Sequence, residues 1–264
     1  MDWEFEDPTP RYRLCQAGFG LIALAIGLLC ADAALDLAWL FTGHRGILAL
    51  THDRLWTWLV GAPITWGSLI GSYLLWGRWS EPRWQRRAGL LVLMNTIDLV
   101  LWFLNHGDEL GLWIGEVPHR WLRGNLAMGL GWAELGLMAG LAADVSDHLG
   151  KGPETIAGGT VAKSFAGVGA AIWALWFLGM TDWGRWPLGH RWLTPPLYLL
   201  LVGSTLVLTL TTFQVAALSI LASRHCGEFV RELKGNDPML ELLRSRSEQE
   251  SDDFWEAPRP DPWR

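Results

Sequence analysis

Residues 98–106 read Asp98-Leu-Val-Leu-Trp-Phe-Leu-Asn-His106, and after a polar loop the chain continues at 119–123 with His-Arg-Trp-Leu-Arg. An apolar run that ends in polar residues, a loop and a second apolar run predict the outer end of one membrane helix and the start of the next. The same pieces recur: 175–178 repeats Leu-Trp-Phe-Leu, and 190–193 repeats His-Arg-Trp-Leu. The recurring unit is therefore a two-helix hairpin.

A fainter copy precedes these two. It has Asp36, Trp39 and His44, followed by His-Asp-Arg-Leu-Trp at 52–56. We interpret the three copies as three parallel two-helix repeats, related by an axis along the membrane normal. Chance similarity in a chain with 19 tryptophans is the alternative.

The composition indicates a membrane protein. The chain of 264 residues is 50% hydrophobic and only 18% charged. Its apolar residues gather into six stretches long enough to cross a hydrocarbon core of about 30 Å. We therefore predict an all-α, polytopic integral membrane bundle with six transmembrane helices, at about 17–42, 55–77, 88–104, 124–146, 160–180 and 194–222.

This pattern divides the chain into three parts. Residues 1–16 are expected to form a cytoplasmic N-terminal segment, and 17–234 a six-helix domain whose last helix extends into the cytoplasm. Residues 235–264 are expected to be a disordered cytoplasmic tail, because this segment is polar, acidic and rich in proline. Its aromatic end, 253–264, is a candidate docking segment for a cytoplasmic partner, although a tail without a partner fits equally.

The basic residues predict the orientation. Six of the 21 lysines and arginines lie in the loops after the first, third and fifth spans, and the rest lie toward the opposite side. By the positive-inside rule we expect both termini in the cytoplasm, and we expect the protein to lie in the plasma (inner) membrane. The net charge of −6 comes mostly from the chain ends and does not indicate nucleic-acid binding.

Four acidic residues fall inside predicted spans: Asp32, Asp36, Asp98 and Glu134. Asp36 and Asp98 lie roughly 10 Å below the outer boundary, and Asp32 and Glu134 roughly 15 Å below it, from the helical rise. Acids at such depths are rare and costly, so they are candidates for a cation or proton site. Hydrogen bonding within packed helix interfaces is the structural alternative. We expect Asp98 to share a polar cavity with Asp36, and Glu134 is a candidate third member.

A second candidate set lies at the outer ends of the spans: His106, His119, His190, Arg120, Arg191, Trp121 and Trp192. Interfacial anchoring explains these side chains, since aromatic and basic residues favour headgroup depth. Convergence of the histidines on a metal is the sharper interpretation, but the sequence names no metal or cofactor. A third interpretation is that the outer tryptophans line a cleft that binds a pigment, quinone or lipid.

These patterns support two main functional hypotheses. One is a transporter or channel with an outer-facing acidic cavity for a cation or proton. The other is a non-catalytic structural or assembly subunit that binds neighbouring membrane proteins or further copies of itself. A membrane enzyme that uses the outer histidines with Asp98 is a third interpretation; no catalytic motif supports it, and no catalytic residue is named.

The topology is directly testable. Single cysteines at Gly111 and Gly184 should react with an impermeant thiol reagent on intact cells, because their loops are predicted to face away from the cytoplasm. Labelling of either position only after lysis would contradict the six-span topology.

Overall fold

All secondary-structure elements of the computed structural model are helices; it describes residues 9–44, 46–47, 54–77, 81–106, 120–150, 153–180 and 194–235. Six helices within these ranges are long and apolar enough to cross a membrane, which confirms the predicted fold class. They are α1 (Thr9–Thr42), α2, α3 (Pro82–His106), α4 (Arg120–His148), α5 (Pro153–Met180) and α6 (Thr194–Gly235). Helix α2 joins an α-helical turn (Arg54–Trp56), a π-helical turn (Thr57–Gly61) and an α-helix (Ala62–Leu75).

The helices are longer than the apolar stretches that identified them. Helix α1 begins at Thr9, whereas its apolar stretch begins near residue 17. Helix α6 has 42 residues. At the α-helical rise it is about 63 Å long, roughly twice a bilayer core, so it extends beyond one membrane face. Residues 1–8 and 236–264 lie outside the described residues, and the cytoplasmic placement of both ends stays a prediction.

The six helices form a closed ring. Each packs against its neighbours in sequence, α6 closes the ring against α1, and α4 also contacts α6 across it. The hairpins α1–α2, α3–α4 and α5–α6 thus follow one another around the ring. The proposed equivalence of these hairpins stays a prediction, and its markers His119 and His190 lie outside the described residues.

Glycines allow neighbouring helices to approach closely, as is typical of membrane bundles. A Cβ on Gly18 of α1 would lie 2.9 Å from the carbonyl oxygen of Gly71 on α2, and a Cβ on Gly71 would lie 2.8 Å from that of Gly18. Between α4 and α5, a Cβ on Gly169 would lie 2.3 Å from the Trp132 ring. The spacing of α1 and α2 is therefore set by contact between their backbones. The spacing of α4 and α5 is set by the Trp132 ring, which packs against Gly169.

The ring is solid in one half and open in the other. The packed half, as we name it, contains the starts of α1 and α3 and the ends of α2 and α4. Here Phe19, Leu75, Leu91 and Val145 are fully buried. The Trp84 indole also donates to the carbonyl of Leu75 at 3.1 Å, which joins α2 to α3. The opposite, open half contains the cavities described below.

The close contact at Gly18 yields a stability prediction. Gly18→Ala would place a methyl group against the α2 backbone, which cannot rotate away. We expect a loss of about 1–3 kcal/mol, typical of overpacking, and a lower thermal unfolding temperature. The matched control is Gly27→Ala on the same helix, where no atom lies within 4 Å of the added Cβ. Equal unfolding temperatures for the two variants would contradict this packing.

Candidate functional site

The open half contains a cavity of about 320 Å³ between α1, α2, α3, α4 and α6. It extends from His106 and Gly124, near helix ends, to Glu134 and Leu208 in the interior. Ile26, Leu29 and Leu135 contribute apolar surface. The polar side chains that line it come from α2, α3 and α4 and are Thr65, Ser68, Asn95, Asp98, Asn105, His106 and Glu134.

Small residues on α4 create this space. Gly124, Ala127 and Gly131 all line the cavity. No atom lies within 4 Å of a Cβ built on Gly124 or Gly131, so both glycines border open volume and do not mark a helix contact. The glycine content of the fourth span therefore serves two purposes, close packing against α5 on one face and room for a cavity on another.

Glu134 lies deepest among the acids of this cavity. It is 14 residues after Arg120, the first residue of α4, and so about 21 Å along the helix. Its exposure is only 8%, and its buried Oε1 atom has no hydrogen-bond partner among the described residues. Buried polar atoms almost always have a partner, and an unpartnered charge inside a protein is costly. Glu134 is therefore the group whose burial most requires an explanation.

Asp98 is the second carboxylate of the cavity. It lies on α3, is half-buried, and is close enough to Glu134 for the two groups to interact electrostatically. Asn95, one turn earlier on the same helix, is buried and donates from Nδ2 to the carbonyl of Leu91 at 2.9 Å. Two carboxylates and an amide thus line one cavity.

A second cavity of about 240 Å³ adjoins the first and shares Ile64, Trp102 and His106 with it. Asp32 lines this second cavity, and its Oδ1 accepts a hydrogen bond of 2.7 Å from the Trp56 indole. Asp32 thus lines the adjoining cavity and not the one that contains Asp98 and Glu134.

The π-helical turn of α2 forms one side of the second cavity, through Thr57, Val60 and Gly61. Such turns insert an extra residue into a helix and are frequent at functional sites. A Cβ on Gly61 would lie 3.3 Å from Nε1 of Trp102, so the glycine admits the indole that divides the two cavities.

Two contacts organise the ends of α3 and α4 beside the cavity. The Arg123 guanidinium donates to Oδ1 of Asn105 at 3.0 Å and to the carbonyl of Leu104 at 3.3 Å. A cation is favourable there because the C-terminal end of α3 carries partial negative charge. His106 packs on Trp102 with ring centroids 5.4 Å apart. These contacts hold Asn105 and His106 in the cavity wall.

The structure brings together only some of the predicted residues. Asp98 and Glu134 share one cavity with His106, while Asp32 lines the adjoining one. Asp36, which we expected beside Asp98, lines neither of these two cavities.

The remaining outer-face candidates stay predictions. Arg120 and Trp121 form the first turn of α4, and no side-chain position is described for them. His119, His190, Arg191 and Trp192 lie outside the described residues. Within the described ranges, no cluster of three or more histidine, cysteine or acidic side chains is suited to hold a metal ion.

No protein-family model, curated protein or solved structure matches this chain. Any functional assignment therefore depends on the chemistry of the acidic cavity.

The open volume beside Gly131 makes a prediction about hydration. In an otherwise cysteine-free chain, Gly131→Cys should react with a small hydrophilic thiol reagent, because polar side chains and two carboxylates favour water in the cavity. Ala133→Cys is the matched control, since Ala133 lies at similar depth on α4 but is exposed on the surface of the bundle. Equal reactivity at the two positions would contradict a hydrated cavity.

Proposed function

We propose that this protein is a membrane transporter for a proton or a small cation, and that Glu134 and Asp98 form its binding site. The observation that carries the proposal is the buried, unpartnered Oε1 of Glu134 in a cavity that it shares with Asp98. Acidic side chains inside a membrane bundle commonly mark ion pathways and proton relays.

The charge balance of the cavity supports a positively charged occupant. No lysine or arginine is among the described residues that line it. Two nearby carboxylates without a counter-charge repel each other when both are ionised. A proton shared between them, or a cation bound by both, removes that repulsion.

Packing below the cavity favours a carrier over an open pore. Toward the packed half, Leu91, Met138 and Val215 are fully buried within one apolar core. The cavity that contains Glu134 extends toward the His106 end of the bundle, so an ion at Glu134 would be reached from that end. Release to the other side would require the helices to rearrange, as in alternating access.

The subunit hypothesis remains the second candidate because of one helix face. Helix α5 is the least covered of the six, and Thr160, Ser164, Gly167 and Ala171 lie exposed along it. Small residues at such spacing allow another helix to pack closely. Co-purification of a stoichiometric membrane partner through this face, together with an absence of transport, would favour the subunit hypothesis.

Reconstitution into liposomes tests the transporter proposal. Uptake of protons, Na⁺ and K⁺ is measured for the wild type, Glu134→Gln, Asp98→Asn and Asp147→Asn. We expect wild-type flux of at least one ion. Flux should fall about tenfold or more in Glu134→Gln and in Asp98→Asn, because each ~1.4 kcal/mol of lost interaction energy with the ion lowers the rate tenfold. Asp147, exposed near the end of α4, is the matched control and should retain flux.

Two results would contradict the proposal. The first is wild-type flux no greater than that of empty liposomes for all three ions. The second is equal flux in the wild type, Glu134→Gln and Asp98→Asn, which would reduce the acids to helix-packing groups.

A further inference from the structure

In the packed half, basic side chains from α3 and α5 meet over the buried Gly140 of α4, and we name this place the Gly140 notch. A Cβ built on Gly140 would lie 3.0 Å from Cε and 3.3 Å from Nζ of Lys163 on α5, and 3.9 Å from Nη1 of Arg87 on α3. Two cationic groups from two helices therefore converge within 3.9 Å of one point. A methyl group at residue 140 would contact Lys163 more tightly than usual, so the Lys163 side chain would have to shift.

The charge around this notch is not balanced. Arg87 forms a salt bridge with Asp144, one turn beyond Gly140 on α4. Arg83 adds a further cation within electrostatic reach of Lys163, and Asp144 is the one carboxylate within that reach among the described residues. Three cations thus surround one carboxylate that already has a partner, and the group has excess positive charge.

The charged groups of the notch lie toward one end of the bundle, on the side where membrane spans meet lipid headgroups. Arg87 is five residues after the start of α3 and Asp144 four residues before the end of α4, which places both about 6–8 Å from a helix end. Lys163 begins deeper, ten residues into α5, and its side chain is exposed. Long basic side chains reach along the helix toward the interface in this way.

We propose that the Gly140 notch binds the phosphate of an anionic phospholipid through Lys163 and Arg87. A phosphate oxygen accepts charge-assisted hydrogen bonds from both groups, and its negative charge offsets the excess positive charge. A zwitterionic lipid offers the same phosphate but brings a compensating cation. The site should therefore prefer lipids with net negative charge.

The test compares variants in phosphatidylcholine vesicles with increasing fractions of phosphatidylglycerol, at constant ionic strength. Because a ligand of the native state raises its stability, phosphatidylglycerol should raise the wild-type unfolding temperature by about 2–4 °C. Gly140→Ala fills the notch without changing charge, and Lys163→Gln removes the cation; both should lose this shift. Gly136→Ala, whose Cβ would meet only Ala166 at 3.9 Å, should keep it.

Lys163→Arg preserves the charge and should also keep the rise in unfolding temperature with phosphatidylglycerol. If Gly140→Ala does not fold, Lys163→Gln alone tests the proposal. An equal response to phosphatidylglycerol in the wild type, Gly140→Ala and Lys163→Gln would overturn the proposal. Inorganic phosphate is then added to pure phosphatidylcholine vesicles that contain the wild type. It should have little effect, and a shift equal to that of phosphatidylglycerol would assign the notch to a soluble anion and overturn the lipid assignment.

Discussion

A carboxylate that lies about 21 Å along a membrane helix must be stabilised from inside the protein, because lipid offers it no partner. Glu134 is such a group, and the open half of the ring is arranged around it. Glycines on α4 leave room, α2 and α3 contribute polar side chains, and Asp98 brings a second carboxylate to the same space. A proton or cation at this point would satisfy both acids.

The two halves of the bundle use the same residue type for opposite purposes. Gly18 and Gly71 bring helix backbones into contact, whereas Gly124 and Gly131 border open volume. Close contact in the packed half brings the helix backbones together there, and the open half leaves a cavity beside the acids. This division agrees with a carrier that opens toward one membrane face at a time.

The sequence predicted the six helices and three of the acids that line these cavities, because long apolar runs and costly intramembrane charges are readable from residue type and spacing. It named Glu134 as a candidate third member beside Asp98 and Asp36, but it did not predict that Asp36 would line neither cavity. Depth along a helix follows from residue number, whereas rotation around the axis depends on packing. The π-helical turn at Thr57–Gly61 and the Arg123–Asn105 contact were missed for a similar reason, since both depend on tertiary neighbours.

An experimental density map that resolves ordered solvent and ions would test the central claim most directly. We predict density for a water molecule or cation within about 3 Å of Oε1 of Glu134, on the side that faces Asp98. A cavity filled by apolar side chains, or a Glu134 side chain hydrogen-bonded to a neighbouring helix and turned away from Asp98, would contradict it.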